Sequence, residues 1–167
     1  MTDLQKVTGR RIVTIGVYGF TEQEFFDALQ AAQVDLLCDV RRRRGVRGSQ
    51  YAFANSQRLQ QRLAELGIAY RHVLELAPSL AVRDIQFASD EATKTPKRQR
   101  ATLDPAFAEA YRRECLANFS PADFLAELPA EVRTIAFFCV ERAPEACHRS
   151  LVAAEFAALG LEVEHIR

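Results

Sequence analysis

The chain has 167 residues, 49% hydrophobic and 26% charged, and its 22 basic and 22 acidic side chains cancel. That balance excludes wholesale disorder and any global attraction to nucleic acid or membranes, so such a partner has to be recruited by a local patch. No apolar run approaches the roughly 18 residues that span a bilayer, and MTDLQKVTGRR at the N-terminus lacks the apolar centre of a signal peptide. The expectation is a cytoplasmic protein with no membrane partner, folded as a single α/β domain over residues 1–167. Its four irregularly spaced cysteines read as reduced thiols.

In chain order, the β-branched run 11–18 (RIVTIGVY) reads as a strand covered on both faces. A helix follows, with Thr21 as N-cap, Glu24 closing a capping box, and Phe20 and Phe25 as a hydrophobic staple. Residues 34–40 (VDLLCDV) form a second strand ending at Asp39, just ahead of an arginine run. Leu59, Leu63 and Leu66 mark one face of a helix over 55–66 that Gly67 stops, and 68–73 (IAYRHV) is a third strand. Residues 77–104, with two prolines and the basic KTPKRQR, read as a long irregular excursion open to motion. Asp104-Pro105 and Ser120-Pro121 each pair an N-cap with proline at N1, opening helices to about Leu116 and to Leu128, and Phe119 and Phe124 form a second staple. A strand over 132–140, a helix from about Pro144 to Leu159 stopped by Gly160, and a strand over 161–166 complete the chain. The alternation predicts a three-layer α/β sandwich with a mainly parallel sheet of about five strands and helices on both faces.

Ligands of such sheets collect outside the carboxyl ends of the strands. Those ends bring together Gly16, Tyr18 and Gly19, then Asp39 and Arg41, His72, and finally Cys139, Glu141 and Cys147 to Arg149. The run DVRRRRGVRG supplies Arg41, Arg42, Arg43, Arg44 and Arg47, whose guanidinium forks match carboxylate or phosphate oxygens. Tyr51 and Phe53 beside it suit stacked bases, or anchor the loop to the core.

Cys147, His148 and Arg149 fall in the first turn of a helix that starts near Pro144, where the helix dipole, a guanidinium and an imidazole favour a thiolate. His148 is then a general base or acid and Glu141 its partner. Spacing to Leu151 and Val152 equally allows Cys147 and His148 to face the core, and Cys139 at an apolar strand end reads as core. A metal at Cys139, Cys147 and His148 recedes, because adjacent residues on a helix diverge by about 100°. No metal and no cofactor are therefore expected. A cysteine followed six residues later by arginine is absent at Cys139 and Cys147, and GVYGFT falls short of a dinucleotide fingerprint.

TIGVYGFTEQEF, LLCDVR, LAELGIAYRHVLEL, FCVERAPEACHRSLVAAEF and VEHIR together resemble the family catalogued as domain of unknown function 488. The resemblance implies a single α/β domain whose characteristic polar residues correspond to Asp39, Arg41, Glu141, Cys147, His148, Arg149 and His165. It departs from the family's usual Leu-Gly-Gly at Leu76, Ala77 and Pro78. The expected function is a small enzyme, a Cys/His-dependent hydrolase or transferase, acting on an anionic, phosphate-bearing ligand such as a nucleotide or nucleic acid. Arg41, Arg149, Tyr18 and His165 would bind the ligand; Cys147, His148, Glu141 and Asp39 would carry the chemistry. The rival is a non-catalytic nucleic-acid or anion-binding module that uses the arginine loop 41–47, and a metal site at Cys147 and His148 is a second alternative.

Overall fold

The computed structural model describes residues 9–167. Five strands, β1 (Arg11–Ile15), β2 (Leu36–Asp39), β3 (Ala69–His72), β4 (Thr134–Phe138) and β5 (Glu162–His165), form one all-parallel sheet in the order β3-β2-β4-β1-β5. Among the described residues six α-helices flank it: α1 (Glu22–Ala31), α2 (Ser56–Glu65), α3 (Leu80–Ala92), α4 (Pro105–Glu114), α5 (Pro121–Glu127) and α6 (Arg149–Ala158). β4 is buried at every position and β1 at all but its first, as strands covered on both faces must be.

Right-handed crossovers in this strand order put α1 and α2 on one face and α4 to α6 on the other. The aromatic side chains agree. Phe137 and Phe138 point to opposite faces of β4; Phe138 meets Phe25, which in turn packs on Phe26 and Phe53, while Phe137 meets Phe124 and Phe156. The chain thus leaves β1 and β2 toward one face and β4 toward the other, which opens a crevice at the carboxyl edge beside β4.

The predicted start signals form as expected. Thr21 and Glu24 complete a capping box on α1, Asp104 caps α4 and Ser120 caps α5, each followed by its proline. Both staples close, with ring centroids 6.1 Å apart for Phe20 and Phe25 and 5.7 Å for Phe119 and Phe124. The first strand ends at Ile15 rather than Tyr18, because the N–H groups of Val17 and Tyr18 both donate to the carbonyl of Val140 and so leave the ladder.

Two expectations are corrected. Residues 77–104 are not an irregular excursion: α3 occupies half of them, capped by Ser79, and Asp90 near its end pairs with Arg100 in the following segment, both side chains being nearly buried. Nor does one continuous helix begin at Pro144. Pro144–Ala146 is a single 3-10 turn, Cys147 is extended (φ −135°, ψ 143°), and α6 starts at Arg149.

Candidate functional site

The crevice holds a cavity of about 670 Å³. Its floor is the segment after β4, with Cys139, Glu141, Cys147 and His148; one wall is the arginine loop after β2, and the other comes from α3 and the segment behind it. Among the described residues, eight cationic side chains line it (Arg41, Arg42, Arg43, Arg47, Arg83, Lys97, Arg98 and Arg100) against a single carboxylate, Glu141. In a chain whose charges cancel overall, this is a strongly polarised cavity.

Not all eight charges face it freely. Arg41 donates from Nε and Nη2 to the two oxygens of Asp39, at 2.9 and 2.8 Å, and from Nη1 to the carbonyl of Ala54 at 2.9 Å. Tyr70 Oη donates to the same Asp39, and the guanidinium lies over the Phe138 ring. Both charged side chains are almost wholly buried, and Asp39 does not line the cavity. The pair therefore braces the loop instead of reaching for a ligand. Arg42 is similarly tied to the carbonyls of Ala77 and Pro78. Arg43 and Arg47 are exposed, and their side chains make no hydrogen bond to the described residues.

Arg149 is fully buried and outside the cavity lining. It donates to the carbonyls of Glu141 and Arg142 at 2.6 and 3.0 Å, and its Nε has no partner among the described residues. The expected ligand contact from Arg149 is thus replaced by a positioning role, holding the loop that carries Glu141. Gly16 belongs to the same joint: a Cβ there would lie 1.9 Å from the Glu141 carbonyl oxygen, so the close approach of β1's end to this loop requires glycine. His165 sits on edge strand β5, with Nδ1 2.7 Å from Thr14 Oγ1, and does not reach the cavity. Tyr18 does reach it, 5.2 Å from the Tyr51 ring, with the Arg98 guanidinium over both rings. Phe53 is core, anchoring the arginine loop against Phe25 and Phe26.

On the floor, the Sγ atoms of Cys139 and Cys147 and a ring nitrogen of His148 lie within 4.8 Å of one another. His148 Nε2 is 3.0 Å from the carbonyl oxygen of Val40, which can only accept, so Nε2 carries a proton and Nδ1 faces the sulfurs, 3.9 Å from Cys147 and 4.0 Å from Cys139. Cys139 also points at Glu141 Oε2, 3.6 Å away, while Glu141 Oε1 pairs with Arg100 and Lys97 at 3.3 and 3.5 Å. Burial pushes the Cys147 thiol up, but the Cys139 thiol, Arg149 and His148 outweigh it and hold Cys147 well below the ordinary thiol range. Cys139 moves the other way, through its contact with Cys147 and its burial. Burial disfavours a charged His148, yet Cys147 and Glu141 hold its pKa above the ordinary value.

The expectations thus divide. Cys147, His148, Glu141, Arg41 and Tyr18 come together at one cavity; Arg149 and Asp39 stand behind it; His165 lies elsewhere. Cys139, read from sequence as core, is part of the cluster. Arg83, Lys97, Arg98 and Arg100 were missed as site residues because they lie in the segment taken as an excursion, although the basic KTPKRQR was a visible signal.

A family model described as "Domain of unknown function DUF488" matches residues 21–156. No curated protein and no solved structure matches. The match spans the capped helix, the Asp39–Arg41 pair and the Cys-His-Arg element, and the chain belongs to the DUF488 family.

Proposed function

We propose that the chain is an enzyme that binds a phosphate-bearing ligand of nucleotide type and hydrolyses or transfers a group on it. One observation carries this reading: a cavity with cysteine, histidine and glutamate on its floor is lined by eight cationic side chains, of which Arg43 and Arg47 are exposed and make no side-chain hydrogen bond to the described residues. Arg43, Arg47, Lys97 and Arg98 would neutralise phosphate oxygens, and Tyr18, packed on Tyr51, brings an aromatic ring to the cavity beside Arg98. Cys147 and His148 supply the reacting centre, with Glu141 beside them as proton acceptor. Asp39, Arg41 and Arg149 act indirectly, fixing the loops that carry the wall and the floor.

The test is turnover of a panel of phosphate monoesters, phosphodiesters and nucleoside triphosphates by the wild type and by Glu141→Gln. Loss of a positioned proton acceptor should cost about 10²- to 10⁴-fold in kcat with binding retained. No turnover of any panel member, or equal rates in the variant, would contradict the proposal. The exposed Arg43 and Arg47, with Arg98 over the Tyr51 ring, favour a second reading, a nucleic-acid-binding module. It would appear as binding without turnover, weakened by salt and by replacing Arg43 and Arg47 but indifferent to Cys147→Ala.

A further inference from the structure

The geometry points to a metal site at Cys139, Cys147 and His148, suited to Zn²⁺ and opening onto the cationic cavity. Two thiols and an imidazole nitrogen, all buried, lie within 4.8 Å of one another. In a tetrahedral zinc centre, metal–sulfur bonds of about 2.3 Å and metal–nitrogen bonds of about 2.0–2.1 Å set ligand–ligand distances of about 3.5–3.8 Å. The sulfur–nitrogen separations of 3.9 and 4.0 Å need to close by only a few tenths of an ångström. The objection from helical divergence does not apply, because Cys147 is extended and precedes α6, so Cys147 and His148 aim at one point.

The outer shell is in place as well. Val40's carbonyl oxygen holds the proton on His148 Nε2, which orients the ring and presents Nδ1, the usual arrangement around a metal-bound histidine. Charge also favours this ligand set. Lys97, Arg100 and Arg149 surround the floor, and two thiolates cancel the charge of a divalent ion where neutral ligands would leave it repelled. Glu141 lies outside the three-atom cluster, with Oε2 turned toward Cys139 and Oε1 bound to Arg100. Three protein ligands leave a fourth position for water or a ligand oxygen, as in zinc sites that do chemistry, and Glu141 is placed to accept the proton of such a water. Cys147 then serves as a ligand to the ion.

The experiment is titration of chelator-stripped, fully reduced protein with Co²⁺ and then Zn²⁺, with no anion present, so that its outcome is separate from that of ligand binding and turnover. The expected result is one Co²⁺ per chain, with a sulfur-to-cobalt absorption band and intense tetrahedral visible bands, displaced by Zn²⁺. Cys139→Ser and Cys147→Ser should each lower affinity by more than the roughly 10- to 100-fold that changes to outer-shell partners cost. Cys115→Ser, whose thiol lies away from the cluster beside Glu114 and Ala77, should leave it unchanged. A folded wild type that gives no thiolate–cobalt band overturns the proposal whatever the variants do, as does undiminished one-to-one binding by Cys147→Ser.

Discussion

Asp39 and Arg41 show how a pair of charges can serve a site without touching its ligand. Their side chains are 0% and 2% exposed, and the carboxylate accepts from the guanidinium, the Arg41 backbone N–H and Tyr70 Oη together. Removing one member of such a pair strands the other in a low-dielectric interior, so Asp39→Ala should destabilise the fold by about 3–5 kcal/mol in urea denaturation. Arg113→Ala, which breaks the exposed pair with Glu109, should cost no more than about 0.5 kcal/mol. Equal effects would show that the buried pair does not brace the loop. His165 gives a prediction in pH. Burial and then Arg149 lower its pKa from the ordinary 6.5. Below about pH 6.5 the unfolded chain takes up a proton that the native imidazole refuses, so this residue withdraws stability as pH falls, until its folded pKa is passed. His148, with its raised pKa, pulls in the opposite direction. The informative quantity is therefore the denaturation midpoint of wild type minus that of His165→Asn, which should drop between about pH 7.5 and about pH 5. A difference that stays level or rises would contradict the assignment.

Among the elements, those with strong local signals were legible from sequence. The capping box at Thr21 and Glu24, the two Asp/Ser-Pro starts and the continuous apolar strands place β1, α1, β2, α4, α5 and β4 close to their observed bounds. α3 was not legible. Its inward stripe is narrow and half polar, Val82 and Gln86 being buried and Ile85 half-buried, while the larger Leu80 and Phe87 face solvent and obscure it. It is held instead against α4 and by polar tertiary contacts: Gln86 accepts from the Asp104 backbone N–H, and Asp90 pairs with Arg100. That omission hid half of the site's cations, because Arg83 lies on α3 and Lys97, Arg98 and Arg100 follow it. The start of α6 was misplaced for a related reason. Pro144 is a good first helical residue, but Arg149's bonds to the carbonyls of Glu141 and Arg142 fold the preceding loop back, and the helix begins only after Cys147 and His148.

At the scale of the whole molecule, strand order determines which distant residues meet. Neighbouring β2 and β4 put the loop after Asp39 beside the loop after Phe138, and their connections leave toward opposite faces. Sequence spacing alone identified that edge and its polar residues. Which of them face the cavity and which stand behind it depends on side-chain hydrogen bonds such as those of Arg41 and Arg149, which have no sequence signature. Eight cations lining one cavity in a chain of zero formal charge are what support the proposed binding of an anion. Anion binding can be measured by calorimetric titration with a nucleoside triphosphate, using the wild type, the double variant Arg43→Glu with Lys97→Glu, and Arg112→Glu on the exposed surface of α4 as control. Saturable one-to-one binding is expected for the wild type and for Arg112→Glu, weakened by salt and abolished in the double variant; no binding by the wild type, or equal binding by all three, would rule out an anion site in this cavity.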